Sequence, residues 1–461
     1  MGKNPLGEEK IGKLLRAYAV PSIISMLVGA LYNIVDQFFI GRSVGMLGNA
    51  ATNVAFPLST LCTAAALLFG VGGAATFSLK LGAKKEEEAA KAVGNATTLL
   101  ALVGVVISVI VLVFLRPLMR VFGATDEVLS YAITYTGITA YGFPFLILTT
   151  GGTALVRADG SPRYSMVCTL TGAILNTILD PILIFKFGLG MAGAAIATVI
   201  GQAVSAVMVA AYLFRFRSVR LQKQHFLPHG KDALQIISLG ASHCFNQIAM
   251  MVVQIVMNNT MTHYGAQSVY GGEIPLACSG IIAKVTMIFF SFVIGLSQGL
   301  QPIAGFNYGA QKYTRVRKTM RLALSFGTGI AVAFYIVFQA FPRQIIGLFG
   351  TGDELYFAFS ERYIRVFLMA LFLDAIQPIS SNFFTSIGKA KKGIVLSLTR
   401  QVIFLLPLLI LLPIFFGIDG AMYAGPLADV VAAVLSGVMV AREFRTMRKI
   451  EQQTVAVSGK V

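Results

Sequence analysis

Asp36, Asn176, Asp180 and Thr198 are polar residues set in apolar surroundings: LYNIVDQFF around the first, NTILDPILIF around the second and third, AAIATVI around the last. An aspartate at the centre of a membrane-crossing helix costs about 2.5 to 3.5 kcal/mol on insertion scales, so its presence asks for a function. Asn176 lies four residues before Asp180 and shares its helical face. Pro181 has no N–H to offer the carbonyl of Thr177, which leaves one more oxygen nearby. Two carboxylates, an amide, a hydroxyl and freed carbonyls make a donor set for a proton or a hard monovalent cation. The structural alternative for Asn176 and Thr198 is a plain hydrogen bond between helices.

The elements that must position these residues follow from composition. With 56% hydrophobic and 12% charged residues and a mean hydropathy of +0.76, the chain reads as an all-α polytopic membrane protein. The apolar runs predict twelve helices, near 15–40, 50–79, 91–116, 131–156, 162–186, 191–214, 235–262, 275–306, 317–340, 357–386, 392–416 and 419–441. The first is too long for a cleaved signal peptide and is expected to be retained. Cys62, Cys168, Cys244 and Cys278 sit in or beside apolar runs without metal-type spacing and read as small buried thiols.

The net charge of +17 raises the question of a nucleic-acid partner, and its distribution answers no. With the N-terminus placed inside, 28 of the 37 Lys and Arg fall in cytoplasmic segments, which is the positive-inside pattern. Both termini are expected in the cytoplasm and the chain in the cell membrane, surrounded by lipid, as a monomer. Arg116 and Arg343 stand 227 residues apart, and the same offset aligns Phe122-Gly123 with Phe349-Gly350, Asp126-Glu127 with Asp353-Glu354, Gly82-Ala83 with Gly309-Ala310 and Gly193-Ala194 with Gly420-Ala421. A recurring offset marks an internal repeat. Six helices per half keep the two halves in one orientation, so a pseudo-two-fold axis along the membrane normal relates two six-helix lobes, the organisation of transporters that carry cargo between rocking halves. The expected division is an N-terminal lobe over 1–214, a cytoplasmic linker over 215–231, a C-terminal lobe over 232–441 and a cytoplasmic tail over 442–461. His225 and His229 in the linker are four apart but lack carboxylate support for a metal in what reads as a solvated loop.

The segments PSIISMLVGALYNIVDQFFIG, NTILDPILIF and GLSQGLQPIAGFNYGAQ, together with the repeat, resemble the multidrug and toxic compound extrusion (MATE) transporters, in particular their DinF-like branch. The resemblance covers nearly the whole chain. It implies a V-shaped pair of lobes exporting small cationic or amphipathic compounds in exchange for H⁺ or Na⁺, with no other cofactor. It also implies an N-lobe cation site at Asp36, Asn176, Asp180 and Thr198, supported by Pro21 and Tyr32 in the first helix, with Thr149 or Thr150 joining from the fourth. Asp374, in ALFLDAIQPISSNF, is similar to an acid that another branch pairs with a carboxylate in the seventh helix; here that helix offers Asn246, Gln247 and Gln254 and no carboxylate. Asp374 and Gln254 are therefore candidates for a C-lobe site, with Asp429 a weaker one. Lys284 is expected to snorkel to the outer interface.

Among the 20 acidic residues Asp36, Asp180, Asp374 and Asp429 fall in the apolar spans away from their first turns. Counting from helix ends, Asp36, Asp180 and Thr198 lie roughly 6 to 10 Å below the outer surface and can share one cavity. Ion loading there would relieve the repulsion between two acids and let the first helix bend at Pro21, where a helical hydrogen bond is missing; a static kink is the alternative. With 34 Phe, 17 Met and no Trp, an adaptable apolar cargo pocket is available, and acidic lining would favour cations. A lipid-oligosaccharide flippase would call for basic residues in the cavity. A membrane-embedded enzyme would need a nucleophile or metal constellation, and neither an HExxH pattern nor a Ser/His/Asp set is present.

Overall fold

A computed structural model describes residues 4–348 and 353–458, so Phe349 and Gly350 of the repeat alignment lie outside the described residues. Twelve helices among them are long and apolar enough to cross a bilayer, where a helix satisfies its own backbone polar groups. They are α1 (Ile11–Val44), α2 (Met46–Gly82), α3 (Glu86–Val113), α4 (Asp126–Ala158), α5 (Pro162–Lys186), α6 (Gly190–Leu213), α7 (Gly230–Ala266), α8 (Glu273–Gly309), α9 (Tyr313–Ala340), α10 (Glu354–Ser386), α11 (Ala390–Phe416) and α12 (Ile418–Ser458). Their ends follow local chemistry. Gly45 (φ 74°) closes α1 and Gly417 (φ 57°) closes α11 in the left-handed region, while Glu86, Glu87 and Glu88 fill the first turn of α3, where the helix dipole favours negative charge.

Most boundaries differ by a few residues from those read in sequence, and two helices illustrate why. α1 extends a turn beyond each expected end, and α12 continues past 441 into the charged tail as far as Ser458. Arg, Glu and Met keep helical propensity where hydropathy stops. The extension is also pinned, since buried Glu443 pairs with Lys389 and with Lys392 (2.8 Å), and Glu451 with Arg317 (2.7 Å).

The halves form two lobes, α1–α6 and α7–α12, with one core around Phe77, Leu100 and Phe143 and the other around Phe289, Phe359 and Phe383. Helix α1 belongs to both. Leu14, Leu15, Tyr18 and Ala19 pack into the C-terminal core, whereas Ile40 packs into the N-terminal one. Ile236 of α7 likewise packs into the N-terminal core.

The repeat has a direct expression where the lobes touch. A methyl group on Gly82 would stand 2.0 Å from the carbonyl oxygen of Phe306, and one on Gly309 would stand 2.1 Å from that of Leu79. Both members of each contact are displaced by the repeat offset, as are Lys84 and Gln311, the non-glycine residues with positive φ just beyond α2 and α8. A reciprocal contact of this kind is what a pseudo-two-fold axis produces. Gly240 approaches the Leu68 carbonyl more closely still, at 1.7 Å for an added methyl. These contacts seal the lobes along the halves nearest the linker.

Two further straps lie on that side. The N-terminal turn Pro5–Glu8 offers its carbonyls to the other lobe: Leu6 O accepts from Asn307 Nδ2 (2.9 Å) and Arg315 Nη2 (3.1 Å), Glu9 O from Arg315 Nη2 (2.7 Å), and Gly7 O from Lys312 Nζ (2.9 Å). The linker is fastened to its own lobe. Asp159 accepts from the N–H groups of Arg217 (2.8 Å) and Ser218 (2.9 Å), and Asn95 Oδ1 from that of His229 (2.7 Å). His225, read above as part of a solvated loop, is instead buried beside Glu87 (3.1 Å), because the linker folds back onto α3.

Gly82→Leu is expected to wedge the lobes apart on the linker side. Spin labels on exposed Lys84 and Gln311 should report a longer separation in the variant by double electron–electron resonance, and an unchanged separation would show that the glycine contact does not hold the seal.

Candidate ion site between helices α1, α5 and α6

The N-lobe residues singled out above converge. Asp180 is fully buried and Asp36 nearly so at 8% exposure, and their carboxyls lie within hydrogen-bonding reach of each other. Asp36 comes from the part of α1 that packs in the N-terminal lobe, and Asp180 from the end of α5. After Pro181 the α5 backbone passes into a π-helical turn, Ile182–Lys186, as expected where a proline withholds its N–H. Asn176 bridges α5 and α6. The orientation that satisfies both its ends has the amide nitrogen donating to Asp180 Oδ2 (3.3 Å) and the amide oxygen accepting from the Thr198 hydroxyl and backbone N–H (3.2 Å each).

Tyr32 stands beside Asp36 and Asp180, one turn before the former on α1. No lysine, arginine or histidine pairs with either carboxyl among the described residues. Asp36 Oδ1 is buried with no hydrogen-bond partner in the protein. A buried, unpartnered carboxylate oxygen facing a second carboxyl is an arrangement that a proton or a small cation completes.

α1 runs without a break through Pro21. Ser22 donates to Tyr18 O and Ser25 to Pro21 O, each at 2.9 Å, beside the position where the proline removes a helical bond. Pro21 lies within the stretch of α1 that packs on the C-terminal core, between Ala19 and Ile23. The fourth helix contributes Tyr135, which neighbours Thr198, Tyr32, Asp36 and Asp180. Thr149 instead donates to the Gln202 carbonyl (3.4 Å), and the backbone carbonyl of Thr150 accepts from the Thr153 hydroxyl (3.0 Å). Depth is the signal that points to Tyr135: Thr149 lies 14 residues further along the helix, roughly 21 Å away.

In the C-terminal lobe, Asp374 and Asp429 meet Arg400, a residue that no spacing or motif places beside them. Arg400 Nε donates to Asp429 Oδ1 (2.6 Å) and Nη2 to Asp374 Oδ2 (3.3 Å). All three are at least nine-tenths buried. Helical irregularities position them. α10 is interrupted between Phe367 and Ile376, with Asp374 just after a 3₁₀ turn, and Arg400 lies in a π-helical stretch, Thr399–Leu405, within α11. Gln254 bonds to Asn258 (2.9 Å) rather than to Asp374. Lys284 is exposed on α8 and forms no ion pair among the described residues.

Between the lobes lies a cavity of about 510 Å³, lined by Met26, Tyr32 and Asn33 of α1 and by Gln254, Phe290 and Arg400 of the other lobe. Asp374 and Asp429 are not on its wall. Their charge reaches it through the guanidinium.

A sequence profile of the MatE family matches residues 21–182 and 243–411. The chain belongs to the MatE family. It is 26% identical over 431 residues to the multidrug export protein MepA of Staphylococcus haemolyticus, covering 93% of each. Its fold superimposes on the crystal structure of MATE in complex with MaL6 with a TM-score of 0.90 at 23% identity, over 96% of this chain and 99% of that one. It superimposes equally on the outward-facing conformation of a multidrug resistance MATE family transporter of the MOP superfamily (TM-score 0.89, 23% identity, 97% and 99% covered). The MATE fold thus accounts for the twelve helices in two lobes.

Thr198→Val removes the hydroxyl that Asn176 accepts from and is expected to lower stability by about 0.5 to 1.5 kcal/mol, with Thr198→Ser restoring it. Thermal unfolding of the purified protein checks this. Equal loss in both variants would mean the hydroxyl is not the partner.

Proposed function

We propose that this MATE transporter exports small cationic or amphipathic compounds by antiport with H⁺ or Na⁺, and that Asp36 and Asp180 exchange the coupling ion. The observation that carries this reading is the pair itself: two facing carboxyls in the spans which, among the described residues, have one buried oxygen without a partner and no basic side chain to neutralise them. Asn176 and Thr198 orient Asp180, and Tyr32 stands beside both acids. The multidrug export proteins to which the chain is similar support small-molecule cargo.

With the termini in the cytoplasm, as the basic loops favour, the sealed side is cytoplasmic and the lobes part toward the outside. An ion arriving from outside relieves repulsion within the pair. α1 responds because Asp36 is on it. The change travels along α1 to Ile23, which packs against Gly295 of the other lobe, and past Pro21 to Tyr18 and Ala19, which pack against Gly299. Ion binding at one lobe thereby bears on the contact between lobes, and coupling requires that ion and cargo prefer different states of that contact. The flippase alternative would draw on Arg400 at the cavity wall, but the two aspartates behind it already answer its charge.

Ethidium transport into or out of proteoliposomes under an imposed H⁺ or Na⁺ gradient tests the reading. Wild type should respond to one of the gradients, and Asp36→Asn and Asp180→Asn should each reduce the gradient-driven component at least tenfold. Variants that still couple as wild type would reject the pair as the coupling site.

A further inference from the structure

We propose that Arg400 is a tethered counter-ion: it holds the acid pair of the C-terminal lobe permanently in the charge state that the N-terminal pair reaches only by taking up a monovalent cation. The inference rests on the reading of Asp36 and Asp180 as the ion-exchanging pair and goes beyond it, to the number of ions exchanged per cargo molecule.

The argument is one of charge and place. In the N-terminal lobe two carboxyls face each other with no basic partner among the described residues, and one oxygen has no partner in the protein. Fully ionised, they carry two negative charges, and one H⁺ or Na⁺ reduces these to one. In the C-terminal lobe Asp374 and Asp429, when both are ionised, carry two as well, and the Arg400 guanidinium, 2.6 Å from one and 3.3 Å from the other, reduces them to one without any ligand. Arginine cannot release its proton in a protein, so this compensation is fixed.

The repeat shows that the two clusters are not copies of each other. Displaced by 227 residues, Arg400 corresponds to Ala173 of α5 and Asp429 to Gln202 of α6, so the N-terminal lobe lacks both members of this ion pair. Conversely, Asp180 corresponds to Pro407 and Thr198 to Gly425, so the C-terminal lobe lacks the N-lobe donor set. The uncompensated pair sits on α1 and α5, whereas the self-compensated cluster sits on α10, α11 and α12, the counterparts of α4, α5 and α6. The guanidinium is also held in place, in the π-helical stretch of α11 and with its carbon 5.7 Å from the centre of the Phe290 ring. Its N–H groups fill the space between the two carboxylates that a metal cation would need, and unlike water they cannot leave. Ion exchange is therefore confined to one lobe, and Arg400 sets the ion-to-cargo ratio.

The test is the number of cations exchanged per ethidium in proteoliposomes, obtained from the membrane voltage at which ethidium flux reverses, with H⁺ and Na⁺ gradients imposed in turn. Arg400→Gln uncovers the acid pair and is expected to raise that number by one. Arg400→Lys and the double variant Arg400→Gln/Asp429→Asn keep the net charge of the cluster and are expected to leave it unchanged. An Arg400→Gln protein that transports at the wild-type ratio overturns the proposal.

If Arg400→Gln does not fold, radiolabelled-sodium binding and proton release by the Asp36→Asn/Asp180→Asn protein decide the matter. No exchangeable cation is expected there, and one that persists until Asp374→Asn is added overturns the proposal. The two readings fail separately. Coupling lost in the N-lobe variants with an unchanged ratio in Arg400→Gln removes only the tethered counter-ion, whereas coupling that survives Asp36→Asn and Asp180→Asn removes the N-lobe site itself.

Discussion

A carboxylate inside a bilayer has no water to lean on, so every acid within the spans needs a positive charge or a proton close by. This protein meets that requirement in two ways. Asp374 and Asp429 are answered by an arginine on a neighbouring helix. Asp36 and Asp180 have only each other, an asparagine and nearby hydroxyls. An acid pair left uncompensated is strained until something mobile arrives, which is the property an ion-coupled device exploits.

The backbone is adapted to that requirement. Asp180 precedes a π-helical turn, Asp374 follows a break in α10, and Arg400 sits within a π-helical stretch of α11. Departures from α geometry re-aim side chains and free carbonyls, and in a membrane they persist where protein rather than lipid surrounds them. The charged residues and the irregular turns thus coincide along the chain.

The contact between lobes obeys a different constraint. Glycines let helix backbones meet with no side chain between them, through reciprocal pairs such as Gly82 with Phe306 and Gly309 with Leu79. Close packing of small residues supplies attraction that lipid cannot replace, while leaving few side chains to disentangle when the contact breaks. α1 joins the two regimes, since its linker-side half packs in the C-terminal core and its other half carries Asp36.

Much of this was legible in one dimension. Twelve apolar runs determine the helix count, because a helix in lipid is dictated by length and hydropathy. The constant offset determines the two-lobe symmetry, and the spacing of Asn176 and Asp180 places them on one face. Helix ends were less legible, since the charged tail keeps helical propensity after its hydropathy ends, and the burial of His225 depends on where the linker folds. Tyr135 could be found by depth, but Arg400 could not be assigned to Asp374 and Asp429. These residues lie on three different helices, and no sequence period states how far each helix is rotated or where its π-helical stretch shifts the register. Polar types in apolar runs were thus fixed by the chain itself, whereas the choice of which acid received a fixed positive charge and which was left without one was made only by tertiary packing, because ionic partnership depends on distance and burial.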